Sequence, residues 1–271
     1  MRKLPNITFS NLKLEEVANI LCWCVFEDSG PLPLNELTFM MYPSLKDNTK
    51  LLYECKNDNI KLFTMVKRII EQDYNEYIKE YENLVTKYSQ LWLKYQDKYM
   101  LAISNYFNIY WPIDCKNITA KIGPLPVCPR YIKERSFYIC KTTDEELIEI
   151  CMHECCHFIF FEKCKNLFKE WKWEDFDNPG LLWYLSEILI DPILNDSKIQ
   201  SIFKYNFKSY DVFYNVSINN ENLMEVMNKF IKENTIDDAI LLAYNYLVIN
   251  EEQLRIQCND QKNNKKNKKN R

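Results

Sequence analysis

The only two histidines of the 271-residue chain, His153 and His157, stand four positions apart, with Glu154 directly after the first. On a helix, residues i and i+4 lie one above the other on a single face, so two neutral imidazoles can grip one metal ion from adjacent turns. Glu154 falls about 100° round the helix, where a carboxylate can reach a water held by the same ion. The chemistry this spacing implies is hydrolysis by a zinc-activated water, with Glu154 as general base.

A catalytic zinc takes three protein ligands and keeps a fourth position for water, so the histidines need one more partner. No third histidine exists. Glu187 is the foremost candidate, because it sits in the apolar run LLWYLSEILI, where an unpaired carboxylate is costly to bury. Asp191, one turn later on the same face, can accept a hydrogen bond from the non-ligating nitrogen of His153 and so fix its tautomer. Other ligands remain open: Cys155, Cys156 and Cys164 on the motif helix, and Glu170, Glu174, Asp175 and Asp177 in the loop that follows.

At this point the chain resembles the gluzincins, the thermolysin-like zinc metallopeptidases, whose pattern is HExxH on one helix and ExxxD on a second. Here it is matched by His153, Glu154 and His157 and, 30 residues after the second histidine, by Glu187 and Asp191. The resemblance covers about forty residues. It implies Zn2+ as cofactor, a peptide or protein as substrate, and a phenol or imidazole to stabilise the oxyanion. With no histidine left, Tyr184, Tyr210 and Tyr214 are the candidates for that role. It also implies a small zincin-like sheet packed on the active-site helix.

The elements that must position these residues follow from periodicity. An amphipathic helix is expected from about Leu12 to Phe26, then a loop with Pro31, Pro33 and Pro43. From about Asn59 to Tyr110 the chain lacks Pro and Gly and reads as one or two long helices. Ile118 to Ile122 and Ser136 to Cys140 read as strands, the latter as the sheet edge along which a substrate backbone can lie. Thr142 and Thr143, each followed three residues later by glutamate, open the motif helix, which should run to about Phe168. Asn178-Pro179 reads as an N-cap and first helical residue for a helix from Gly180 to about Asp191, stopping at Pro192. Further helices are expected near Asn222 to Lys232 and Ile236 to Asn250. The fold class is predominantly helical α+β: one domain over 1–257, with a helical part at 1–110 and a metal-site part at 111–257, followed by a basic tail at 258–271.

Composition narrows the function classes. Three glycines are too few for a glycine-rich phosphate loop, and no GxGxxG or GxxxxGK run occurs. No stretch is apolar enough for a membrane span, and the first twenty residues lack a secretory signal's apolar core, so a cytoplasmic protein with no membrane partner is expected. Eleven cysteines, an odd number without CxxC spacing, read as reduced thiols. The tail carries six Lys/Arg against one Asp, leaving the remainder at −8; it reads as a solvated disordered run, and no nucleic-acid partner is expected. The competing reading is a non-catalytic binding or regulatory protein that keeps the zinc helices without turnover.

Overall fold

The computed structural model describes residues 3–28 and 33–258, and these fall into two compact units. The chain visits each more than once. Most of the basic tail, 259–271, and Pro31 of the proline loop lie outside the described residues.

One unit comprises residues 7–28, 33–91 and 118–144. Its elements are β1 (Asn6–Asn11), α1 (Leu14–Cys24), α2 (Leu34–Met41), α3 (Pro43–Asp47), α4 (Thr49–Cys55), the long α5 (Asn59–Leu93), β2 (Asn117–Ile122), β3 (Arg130–Tyr131) and β4 (Ser136–Ile139). The four strands form a mixed sheet in the order β1-β2-β4-β3. Strands β2 and β4 run parallel, with Thr119 opposite Ser136 and Ile122 opposite Ile139, whereas β3 is antiparallel to β4. Leu12, Val17, Leu21, Tyr42, Val66 and Ile70 belong to the core of this unit. Tyr42 satisfies its buried phenol by donating to the Pro124 carbonyl at 2.7 Å.

Two expectations are corrected here. No strand is expected ahead of the first helix, yet Asn6–Asn11 forms one, because its partner lies far along the chain: Thr8 Oγ1 donates to Ile118 O, and the Leu12 N–H to Ile122 O. The expected edge, Ser136 to Cys140, is an interior strand flanked by β2 and β3, and all four residues of β4 are buried. Its backbone groups are engaged within the sheet, so it offers no row of unpaired groups to a substrate.

The other unit comprises residues 3–6, 92–117 and 145–258. It contains α6 (Gln96–Tyr106), α7 (Asp144–Leu167), a 3-10 turn (Trp173–Phe176), α8 (Leu181–Leu194), α9 (Ser197–Gln200) and α10 (Asp211–Tyr214). A hairpin, β5 (Ser217–Ile218) and β6 (Glu221–Asn222), then leads to α11 (Leu223–Glu233) and α12 (Ile236–Ile249). Asn219 and Asn220 both have positive φ, the conformation a two-residue hairpin turn requires and asparagine tolerates. Asn222 caps α11 by accepting from the Met224 and Glu225 N–H groups, and Thr235 caps α12 by accepting from the Asp238 N–H. Helix α8 packs against the 3-10 turn, α11 and α12.

Helix α8 departs from expectation at both ends. Its N-cap is Gly180, not Asn178, and its first helical residue is Leu181, not Pro179. A Cβ on residue 180 would sit 2.4 Å from Asp175 O, so the close approach of the 3-10 turn demands glycine. Pro192 lies inside the helix, which runs on to Leu194. Proline forfeits one backbone hydrogen bond. The last turn is nevertheless held: Ile193 and Leu194 are buried, and Asn195 returns both its N–H and its side-chain amide to Asp191 O.

The protein is thus a predominantly helical α+β protein with a small mixed sheet. Among the described residues, no helix is long and apolar enough to cross a membrane.

Candidate metal centre

Helix α7 is apolar nearly all round, and Leu147, Ile148, Cys151, Met152, Cys155, Cys156 and Phe158 to Phe161 are buried. Such a pattern places a helix in the interior of its unit. Its polar interruptions are therefore informative. His157 is wholly buried, while His153 keeps 22% of its side chain exposed and Glu154 is half-buried. Tyr99 of α6, also fully buried, donates its phenol to Met152 O at 2.5 Å and ties the backbone next to His153.

The two imidazoles converge. His153 Nε2 and His157 Nε2 lie 2.9 Å apart, with their rings at 70° to one another. Phe161, one turn on, stacks on His157 at 17° and packs in turn on Phe176 of the 3-10 turn, which fixes the His157 ring from behind. From α8, the 3%-exposed Glu187 brings Oε1 to 3.5 Å from His157 Nε2 and Oε2 to 3.7 Å from His153 Nε2. The Glu187 main chain is anchored as well, its carbonyl accepting from Ser209 Oγ.

These three side chains can hold a metal ion, their donor atoms lying within 4.8 Å of one another. Imidazole and carboxylate ligands at about 2.0–2.2 Å in tetrahedral geometry stand roughly 3.4 Å apart, close to both His–Glu separations. The donor set suits a divalent cation: two neutral imidazoles and one carboxylate, buried where an uncompensated negative charge is costly. Cys155, Cys156 and Cys164 are buried on the same helix but are not part of this group.

The carboxylate of Asp191 is engaged by Tyr214 Oη and, at 2.7 Å, by Asn195 Nδ2, where the sequence suggests His153. Tyr214 also accepts the Ser209 N–H, and burial followed by the Asp191 contact pushes its phenol up to about 12. Tyr184 packs against Trp183 and Phe213, with the Arg255 guanidinium 5.3 Å from its ring centroid. Tyr210, 55% exposed, stands at the N-cap of α10 beside Trp183.

Together with Val212 and Phe213, the side chains of Trp183, Tyr184 and Tyr210 line a cavity of about 200 Å³. Trp183 and Tyr184 lie one turn before Glu187 on α8. A larger cavity of about 830 Å³, lined by Tyr106, Pro192, Lys198 and Lys232 among others, includes none of the candidate site residues.

One neighbour escapes the sequence reading. Glu149 lies four residues before His153 on the same face of α7, and burial raises its carboxyl pKa, opposed by His153 and reinforced by Glu146 and Glu154. Its signal is the continuation of the four-residue spacing of the histidines.

Comparison with known protein families, with characterised proteins and with solved structures finds no match to this chain. Function is therefore read from the site itself.

Proposed function

We propose that this chain is a zinc-dependent metallopeptidase of gluzincin-like design. The observation that carries the reading is the buried Glu187 of α8, held 3.5 and 3.7 Å from the paired Nε2 atoms of an HExxH helix whose glutamate is only half-buried. A purely structural site has no need of that glutamate.

Zinc bound there would supply Lewis acidity toward a scissile carbonyl and lower the pKa of a water toward about 7. The roles of the chain's own residues follow. His153, His157 and Glu187 hold the ion, with the aromatic stack behind His157 keeping its ring in place. Glu154 takes a proton from the attacking water and returns it to the departing amine. Tyr214 and Asn195 orient Asp191 on the α8 face that carries Glu187. Tyr184, Tyr210 and Tyr214 are the phenols that could stabilise the oxyanion. An odd number of cysteines without CxxC spacing accords with action in a reducing compartment, the cytoplasm.

Zinc per chain by native mass spectrometry, for the wild type and Glu187→Ala purified without chelator, tests the site. One zinc in the wild type, weakened in the variant, together with peptide hydrolysis abolished by Glu154→Gln, is the expected result. A folded wild type that takes up no zinc overturns the reading.

A further inference from the structure

We propose that Cys128 and Cys140 form a redox-reactive dithiol that closes to an intramolecular disulfide on reaction with a small disulfide oxidant such as oxidised glutathione. The two sulfurs lie 3.2 Å apart without being bridged. They stand at the ends of the paired strands β3 and β4. Arg130 is opposite Phe137, Tyr131 is opposite Ser136, and the Tyr138 N–H donates to Pro129 O at 2.9 Å. This ladder holds the backbones beside both cysteines in register. A disulfide bond of about 2.05 Å requires the sulfurs to close by little more than 1 Å, a movement that side-chain rotation can supply.

The two thiols are unlike. Cys128 is exposed, whereas Cys140 is half-buried and donates its proton to Leu125 O at 2.8 Å. The two sulfurs are within hydrogen-bond reach of each other, and either can act as donor. The contact with Cys128, and then burial, hold the Cys140 thiol far above its ordinary range. Cys128 is therefore the group that meets the oxidant first and Cys140 the group that resolves it.

In the first step, the Cys128 thiolate attacks one sulfur of oxidised glutathione, forming a Cys128–glutathione bond and expelling glutathione thiolate, which takes up a proton. In the second, Cys140 loses its proton to solvent as its sulfur attacks Cys128 and expels the second glutathione, which leaves as thiolate and is protonated in turn. Two protein thiols are oxidised, one glutathione disulfide is reduced, and two molecules of glutathione are released. Selectivity comes from access: Cys151, Cys155, Cys156 and Cys164 are fully buried on α7, and burial raises the thiols of Cys151, Cys155 and Cys164 in particular. The bridge joins residues 12 apart and encloses both β3 and β4, which restricts the unfolded chain.

The test exposes the full-length protein to glutathione buffers of increasing oxidised fraction, followed by acid quenching, intact mass and peptide mapping. The expected product has lost two hydrogens and yields one cross-linked peptide pair containing Cys128 and Cys140. Cys140→Ser should stop at a glutathione adduct on Cys128, and Cys128→Ser should form no bridge at Cys140. The bridged protein should unfold about 5 °C above its reduced form. Retention of both thiols in excess oxidised glutathione overturns the proposal. So does a glutathione adduct on Cys128 that persists in the wild type, or a bridge that joins either cysteine to another.

Discussion

Glu187 Oε1 stands 3.5 Å from His157 Nε2, although the residues belong to different helices and the 3-10 turn lies between them in sequence. Neither side chain has meaningful access to water, since His157 is wholly buried and Glu187 is 3% exposed. Removing the carboxylate should therefore weaken zinc by at least about 100-fold, more than the loss of an outer partner would. Competition with a chelator of known affinity measures this. Zinc held at this site would stabilise only the folded chain, so adding it to the chelated wild type should raise the unfolding temperature, and Glu187→Ala should show a much smaller shift.

Glu154→Gln separates enzyme from binding protein. The amide keeps the size of the side chain but cannot accept a proton, so zinc content should be unchanged while peptide turnover falls about 10²–10⁴-fold. Equal turnover in wild type and variant would remove Glu154 from the mechanism.

Alkaline pH should unfold the protein progressively. Burial raises Cys22 to about 11 and Cys24, Tyr81 and Tyr214 to about 12, all above their unfolded values. A group with a raised folded pKa holds its proton in the native state after the unfolded chain has released it. The stability it contributes is complete below the unfolded value and is lost as pH rises through the folded one. For these thiols and phenols the window runs from about pH 9 to 12. Guanidinium unfolding across that range should show the decline, and Tyr214→Phe should make it shallower above about pH 10.

The aromatic cavity beside α8 is smaller than the usual small-molecule site of about 300–1,000 Å³ and suits one apolar side chain. Filling it with Val212→Trp should lower kcat/KM for peptides carrying Phe or Leu next to the scissile bond by roughly tenfold or more, leaving alanine analogues much less affected. Zinc content should not change. A uniform loss across the peptide series would detach the cavity from substrate selection.

Gly180→Ala should cost about 1–3 kcal/mol, because the added methyl collides with the Asp175 backbone rather than with a flexible side chain. Chemical denaturation measures this cost. A neutral result would mean that the 3-10 turn yields.

The convergence of His153, His157 and Glu187 is readable from sequence because two signals are local: a four-residue spacing on one helix, and a carboxylate inside the apolar run LLWYLSEILI. The partner of Asp191 is not readable. Tyr214 reaches it across 23 residues of chain, and one tyrosine among 18 carries no positional signal. Pro192 misleads for a physical reason: the rule that proline ends helices weighs one lost hydrogen bond, whereas the burial of Ile193 and Leu194 and the two bonds from Asn195 decide where α8 stops. Strand β4 is legible, but its interior position depends on the two-residue β3, which is too short to carry a local pattern.

The pairing of Thr8 with Ile118 spans 110 residues. A nascent chain leaving the ribosome carries β1 without its neighbour until β2 has been made. Contacts of such long sequence separation close late, because the loop entropy is lost before any pairing rewards it. The first strand thus waits through more than a hundred residues of synthesis before its sheet neighbour exists.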